Sequence, residues 1–295
     1  MYAPADTHFG LAGLKQLSGK ELSYNNLLDL DAAVRIAGLI QNSGAAVIKH
    51  TNPCGAASAA TIDEALEAAM AADPTSAFGS IVAVNRIFDA AAAECLLKPG
   101  MFVEVIAAPA FTAEAVEALK TRPAWKASVR LVEVPPGDPW SPTAGLELRS
   151  VAGAMLAQRP DETPDDPAAW QVVTQEAPAA DLTQPLDFAF TMVRRLTSNA
   201  IAVCQGTSLV GAGVGQTSRV DAVRIALEKA GDRARGGVLA SDAFFPFPDS
   251  IDLIRQAGIA AIIQPGGSKR DPEVIAAANA AKLPMVFTSR RHFRH

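Results

Sequence analysis

Apolar positions along this chain alternate between short unbroken runs and longer stretches at helical spacing, which predicts strands and helices in turn. Leu27, Leu28, Leu30, Val34, Ile36, Leu39 and Ile40 recur at helical intervals ahead of Asn42, Ser43 and Gly44, so one long helix is predicted to stop there. The next apolar run ends on Lys49 and His50 and breaks at Thr51, Asn52, Pro53, Cys54 and Gly55. Thr61 and Glu64 form a capping-box pattern ahead of Leu66, Ala69 and Met70, which predicts a helix. Ser80–Val84 reads as a strand, Asp89 opens a short helix to Leu97, and Val103–Ala108 reads as a buried strand. Residues 113–120 are helical and residues 129–134 extend again.

From Pro135 the rhythm is lost to a stretch rich in prolines and acids, PPGDPWSPT and later RPDETPDDPAAW, which places a domain connection over residues 136–180. Two apolar pieces inside it, residues 150–156 and 170–174, are predicted strands. After a helix over residues 185–196 the first pattern returns: strand 200–205, helix from Ser218, strand 237–240, helix from Asp249, strand 260–264. A helix with Asp271 as N-cap and Pro272 as its first residue, then strand 284–288, complete the chain. Residues 1–135 and 181–295 therefore read as pseudo-repeated domains. The fold class is α/β, with layered domains whose mainly parallel sheets are covered on both faces.

Length and composition narrow the partners. The 295 residues, 49% of them hydrophobic, suit two packed cores. A net charge of -5 gives no electrostatic reason to expect nucleic acid or an anionic membrane. Cys54, Cys95 and Cys204 lie far apart and form no CxxC pair, so neither a disulfide framework nor a thiolate zinc site is expected, and a reducing cytoplasm is. No apolar stretch reaches a membrane span, and the opening residues carry no basic and apolar leader.

Ligands of parallel sheets bind beyond the carboxyl ends of strands, which makes the strand ends the candidates. Lys49 and His50 can share a site only if their strand stops there, because neighbouring strand residues point to opposite faces. Pro53 and Gly55 supply that stop. The same stretch also reads as a buried strand leading into an ordinary loop. Residues 211–219, GAGVGQTSR, run from glycines into a helix N-terminus, a place for anionic or carbonyl oxygens, but they match neither GxGxxG with a following acid nor a phosphate loop. Residues 241–249, SDAFFPFPD, crowd three aromatics into a loop. Residues 264–268, QPGGS, end another strand in a glycine turn, and the final RRHFRH is basic.

Taken together, KHTNPCG, DPTSAFGSIVAVNR, FVEVIAAP, TSNAIAV, GAGVGQTSRVD, SDAFFPF, IQPGGSKRD and RRHFRH, in this order and spacing, resemble the AICAR transformylase domain of the bifunctional purine-biosynthesis enzymes. The resemblance covers nearly the whole chain and implies two tandem cytidine-deaminase-like three-layer α/β/α modules. It also implies a reaction, transfer of the formyl group of 10-formyltetrahydrofolate to the 5-amino group of AICAR. By the same resemblance His50 is the base, Lys49 stabilises the oxyanion or protonates the departing folate nitrogen, and Asn199 orients the formyl oxygen and the amine. Gly79 faces the AICAR base, Glu104 the ribose hydroxyls, and Arg219, Phe244 and Arg291 the ring and carboxamide. Val220, Asp249, Ser268 and Lys269 lie on the folate side. The family further implies a homodimer with shared active sites, Phe244 and Arg291 serving the partner's site, and a monovalent cation such as K+ near the second module, with no metal ligand assigned here.

Two departures from the family pattern carry expectations. The RYGxNPHQ segment whose arginine grips the AICAR phosphate does not precede Met1, Tyr2, Ala3 and Pro4, so weakened AICAR binding and impaired turnover are expected, and with no cyclohydrolase domain the chain is not expected to close formyl-AICAR to IMP. Pro248 stands where family members commonly carry arginine, which alters one folate-side or interface contact and leaves the reaction. Two rival classes follow from the same residues. A zinc nucleobase deaminase needs H-x-E and P-C-x-x-C ligands, and residues 53–56 supply one thiol without a second. A non-catalytic nucleotide-binding or assembly module would bind without turnover.

Overall fold

A computed structural model describes residues 8–136, 146–161 and 163–295, and every structural statement refers to these. The start of the connecting segment and the opening residues 1–7 lie outside them. The first half contains β1 (Lys15–Ser18), α1 (Tyr24–Leu39), β2 (Ser43–Lys49), β3 (Asn52–Ala59), α2 (Ile62–Ala71), α3 (Pro74–Ala77), β4 (Ser80–Val84), α4 (Ala90–Leu96), β5 (Val103–Ala108), α5 (Ala113–Thr121) and β6 (Arg130–Glu133). A hairpin of β7 (Glu147–Val151) and β8 (Ala154–Gln158) and a short β9 (Gln171–Val172) follow. The second half contains α6 (Thr183–Val193), β10 (Ile201–Gln205), β11 (Ser208–Gly213), α7 (Arg219–Ala230), β12 (Val238–Ser241), α8 (Asp249–Gln256), β13 (Ala261–Gln264), α9 (Asp271–Ala280) and β14 (Met285–Phe287).

Among the described residues these strands form one 12-stranded sheet, ordered β1-β6-β5-β4-β2-β3-β11-β10-β12-β13-β14-β9. The order reads nearly the same from either end, because β3 and β11 pair antiparallel at its centre, Ser208 opposite Ala57. In each half a hairpin and one antiparallel pairing precede two parallel pairings, β4 with β5 with β6, and β12 with β13 with β14. The sheet is thus mixed, where a mainly parallel sheet was expected. The reason is that the stretch after His50, read as a break, continues as β3.

Two local features explain that misreading. Pro53 sits at a bulge: Val47 pairs with Gly55 and Ile48 with Pro53, so Cys54 is the extra residue and the missing proline N–H falls where the ladder is already disrupted. Gly55 does not bend the chain. A Cβ there would lie 1.9 Å from the Ala69 carbonyl oxygen, so the glycine lets α2 lie directly on β3. The second half repeats the device. Val203 pairs with Gly211 and Cys204 with Leu209, leaving Val210 as the extra residue, and a Cβ on Gly211 would lie 2.2 Å from the Ala226 carbonyl oxygen of α7.

Alternation along the strands divides the core into layers. One face, with Ala46, Ile48, Ala202 and Cys204 among its residues, is covered by α1 and α6, whose Leu30, Ile36, Phe190 and Val193 join a single cluster across both halves. On the other face Val47 and Val82 pack under α2, α4 and α5, and Val203 and Leu239 under α7, α8 and α9. Ser23 caps α1 through Asn26, whose side chain accepts in return from the Ser23 N–H, and Gly44 crowds against Ile40 as the chain turns into β2. The predicted single strand at residues 150–156 is instead the end of β7, a two-residue turn and the start of β8, a separate two-stranded sheet whose strand residues are all exposed.

Candidate active site

The hairpin of β2 and β3 turns in two residues, His50 and Thr51, both with positive φ, 51° and 63°. Two consecutive left-handed residues are what a tight hairpin of this twist requires, and glycine or asparagine is its usual occupant. The matching turn of the second half uses Gly206, at φ 56°. The first half holds a histidine in that conformation by bonding the turn on all sides. The Thr51 N–H donates to Asp29 Oδ1 at 2.6 Å, Asn52 Nδ2 donates to the His50 carbonyl at 3.0 Å, and Asn52 Oδ1 accepts the Thr197 N–H at 3.0 Å. A non-glycine residue kept in a sparsely populated conformation at an exposed turn points to function. Lys49 ends the strand, and its Nζ donates to the carbonyls of Phe78 at 2.7 Å and Gly79 at 3.1 Å.

Lys49 and His50 both line a cavity of about 300 Å³ between the halves, together with Cys54, Asp73, Gln216 and Lys229. The Lys229 ammonium lies 2.5 Å from Asp73 Oδ2 and closes one wall by joining α7 to the start of α3. Partial burial works against ionisation of Asp73, but hydrogen bonds from Lys229 and Ser76 outweigh it and hold the carboxyl below the usual range. Burial, with the Asp73 charge adding to it, pushes the Cys54 thiol up to about 12, so this sulfur is no nucleophile at neutral pH.

Behind Gln216 lies a second cluster, built at the start of β10. Asn199 Nδ2 donates to the Gln216 carbonyl at 2.8 Å, and Asn199 Oδ1 accepts from Arg219 Nη2 at 2.8 Å. Arg219, at the first residue of α7, is buried and paired with the fully buried Asp242. Asp242 also accepts from the Ser198 hydroxyl and, at 3.1 Å, from the Ala200 N–H. Its carbonyl accepts the His292 N–H at 3.0 Å, which draws the C-terminal segment to the same place.

Gly79 and Glu104 precede or open parallel strands, so the carboxyl-end rule would have missed them. Antiparallel pairing of β3 with β11 reverses one half against the other, bringing the amino ends of β4 and β5 to the same edge as the carboxyl ends of β12, β13 and β14. Gly79 lies under Lys49, with φ 71°. Glu104 accepts from Asn26 Nδ2 at 3.3 Å. Phe244 is half-buried, Val220 and Ser268 are half-buried, and Asp249, Lys269 and Arg291 are exposed. None of these lines the cavity, and the Arg291 guanidinium stacks 4.5 Å from the Phe293 ring. The glycine-rich stretch at residues 211–219 is no anion cradle. Gly211 and Gly213 belong to β11, where a Cβ would strike α7, and the helix N-terminus is capped by its own Ser218.

Sequence reasoning missed Asp242, Gln216 and Asn26. Asp242 and Gln216 stood inside motifs read for their aromatics and glycines, whereas Asn26 has no signal beyond its helix-cap spacing. Among the described residues no three His, Cys, Asp or Glu side chains are grouped to hold a metal ion, and no helix is long and apolar enough to cross a membrane.

A profile of the AICARFT/IMPCHase bienzyme family matches residues 1–229. The chain belongs to this family. The bifunctional purine biosynthesis protein PurH of Rhodopirellula baltica is 51% identical over 291 residues, 99% of this chain and 55% of the relative. PurH of Desulfitobacterium hafniense is 47% identical over 299 residues, covering 100% of this chain and 55% of the relative. PurH of Streptococcus thermophilus is 46% identical over 290 residues, 98% and 55% respectively. The chain therefore spans about half the length of the curated relatives it matches.

Proposed function

We propose that this chain transfers the formyl group of 10-formyltetrahydrofolate to the 5-amino group of AICAR, yielding formyl-AICAR and tetrahydrofolate in purine biosynthesis. The observation that carries the reading is the placement of Lys49 and His50 on one tight turn, facing the cavity and backed by the Asn199 cluster. The aromatic amine of AICAR is a weak nucleophile. A base must take its proton as nitrogen bonds to the formyl carbon, and the bond to the folate nitrogen then breaks as that nitrogen regains a proton. His50 takes the first proton. The Lys49 ammonium, held by two carbonyls, stabilises the developing oxyanion or supplies the second proton. Asn199, fixed between Gln216 and Arg219, orients the formyl oxygen and the amine.

On this reading Gly79, Glu104, Arg219, Phe244 and Arg291 bind AICAR, and Val220, Asp249, Ser268 and Lys269 bind the folate. The halves, residues 1–135 and 181–295, are tandem cytidine-deaminase-like modules joined by residues 136–180; the mirrored strand order and the equivalent bulges support this. The protein works in the cytoplasm as a homodimer. Support for the dimer comes from the hairpin of β7 and β8, which leaves Leu148, Met155 and Leu156 each more than half exposed. Arg149 of that hairpin donates to the His295 carbonyl at 2.6 Å, so a second copy covering it would also cover the C-terminal segment and Arg291. A monovalent cation is part of the family reading; the buried Asp242 already has Arg219, Ser198 and Ala200 as partners, and no step of the reaction is routed through an ion.

Tetrahydrofolate production with AICAR varied to saturation tests this function. Saturable turnover is expected. A folded, dimeric chain that binds both substrates and never turns over would instead be a binding module.

A further inference from the structure

The C-terminal segment is held by a charge cluster that the reaction itself does not use. His292, 2% exposed, has a carboxylate at each ring nitrogen: Nδ1 lies 2.6 Å from Asp161 Oδ2 and Nε2 lies 3.1 Å from Asp165 Oδ2. A neutral imidazole carries one N–H and can donate to one of them, so this geometry is satisfied only by the imidazolium. The two aspartates belong to the connecting segment. Arg194 at the end of α6 bridges the same pair, 2.9 Å to Asp161 and 3.1 Å to Asp165, and Arg290 reaches Asp165 at 3.3 Å. From α6 the Phe190 ring meets the imidazole edge at 5.0 Å, Asp187 faces Asp165, and Arg195 acts on Asp161.

Resting on the formyl-transfer reading, we propose that His292 is a positioning residue: clamped as an imidazolium between Asp161 and Asp165, it fixes the C-terminal segment and so presents the neighbouring Arg291 to AICAR. The main chain gives the pin its reach. The His292 N–H is bonded to the Asp242 carbonyl, and the Ser198 N–H donates to the Arg294 carbonyl at 2.8 Å, so the pinned segment runs beside Asn199 and the Arg219 pair. Among the described residues Arg291 has no carboxylate partner and stacks on Phe293, which leaves it to meet a neutral carboxamide or ring.

The pin is also sensitive to pH. Burial disfavours the charged ring, but the hydrogen bonds it donates to Asp161 and Asp165 outweigh this and raise the pKa of His292 above its ordinary value. Within the cluster the imidazolium is the charge that is lost as pH rises past neutral. A raised pKa means that the pin is fully made below about pH 6.5 and is lost as pH rises through the folded-state value.

The test is a kinetic cycle with ring spectroscopy on the 295-residue chain, comparing wild type, His292→Gln, Arg291→Ala and the double variant. At neutral pH His292→Gln is expected to raise the AICAR KM about tenfold with kcat changed less than about twofold, and to add almost nothing in the Arg291→Ala background. The ratio of its KM to the wild-type KM should fall toward one as pH rises through the folded-state value of His292. Additive effects in the double variant, or a ratio independent of pH, would overturn the pin. Ring ¹⁵N spectra should show both His292 nitrogens protonated at about pH 6.5, where an ordinary imidazole is half neutral, and hydrogen exchange of the residue 292 amide should quicken at least about tenfold in His292→Gln. A neutral ring at that pH overturns the proposal even if no variant turns over, whereas an imidazolium with faster exchange in a chain without turnover leaves the pin standing and sinks the formyl-transfer reading alone.

Discussion

Removing the carboxylate of Asp242 should be among the most damaging single changes in this fold. The residue has no exposure and accepts from the Arg219 guanidinium, the Ser198 hydroxyl and the Ala200 N–H. Asp242→Ala leaves Arg219, whose side chain is 6% exposed, as a buried charge without its counterion, and strands the Ala200 donor. Breaking a buried pair from one side costs about 3–5 kcal/mol, and the orphaned N–H belongs within that figure rather than on top of it. Urea unfolding, extrapolated linearly, reads the loss as a fall in midpoint at constant slope. The decisive comparison is the Arg219→Met/Asp242→Leu double variant. Because the charge and its partner then leave together, most of the stability should return, with a coupling of about 2 kcal/mol or more between the two sites. A loss below about 1 kcal/mol in Asp242→Ala, or a double variant costing the sum of the singles, would refute the reasoning.

Three further outcomes follow from the same contacts. Gly55→Ala and Gly213→Ala each place a Cβ 1.9 Å from a helix carbonyl that cannot rotate away, so each should cost about 1–3 kcal/mol or more in urea unfolding, whereas Gly206→Ala, in open space, should cost only about 1–2 kcal/mol from its positive φ. Equal losses at all three would contradict the close-approach account. With its thiol pushed up to about 12, Cys54 should react with a small disulfide reagent at pH 8 at under about a hundredth of the free-cysteine rate, although it lines the cavity; ordinary reactivity would show that the sulfur is not desolvated. Lys229→Ala removes the ion pair across the halves and should raise the Asp73 pKa toward its ordinary value, with a stability loss of at most about 1 kcal/mol because the lysine is 43% exposed.

Much of this fold was legible in apolar rhythm. Ser80–Val84 and Val103–Ala108, the latter interrupted only by Glu104, are largely apolar because they are central strands buried on both faces, and α1 follows its helical spacing to the end. What misled was punctuation. Pro53 and Gly55 ordinarily end a strand, yet here one occupies a bulge and the other admits a helix, and neither use differs in sequence from a turn. The strand β1 at the sheet edge is short and polar and gave no signal. At the site, Lys49 and His50 were legible as a strand end, and the two-residue turn is what lets adjacent side chains reach one cavity. Gly79 and Glu104 could not be found from strand ends, because their lying at the same sheet edge as the strand ends of the second half depends on a pairing between β3 and β11 that residues far apart in sequence decide. Asp242 was hidden for another reason: a buried carboxylate is recognisable only once its arginine is seen beside it.

The account stands most directly on His50 as the base. Steady-state formyl transfer should be compared between the wild-type chain and His50→Ala, with circular dichroism confirming that both are folded. A fall in kcat of about 10²–10⁴-fold with AICAR KM changed by less than about threefold is the predicted result, since general-base catalysis acts in the transition state rather than in binding. A His50→Ala chain that keeps its kcat would contradict the central claim and move the chemistry away from the hairpin turn.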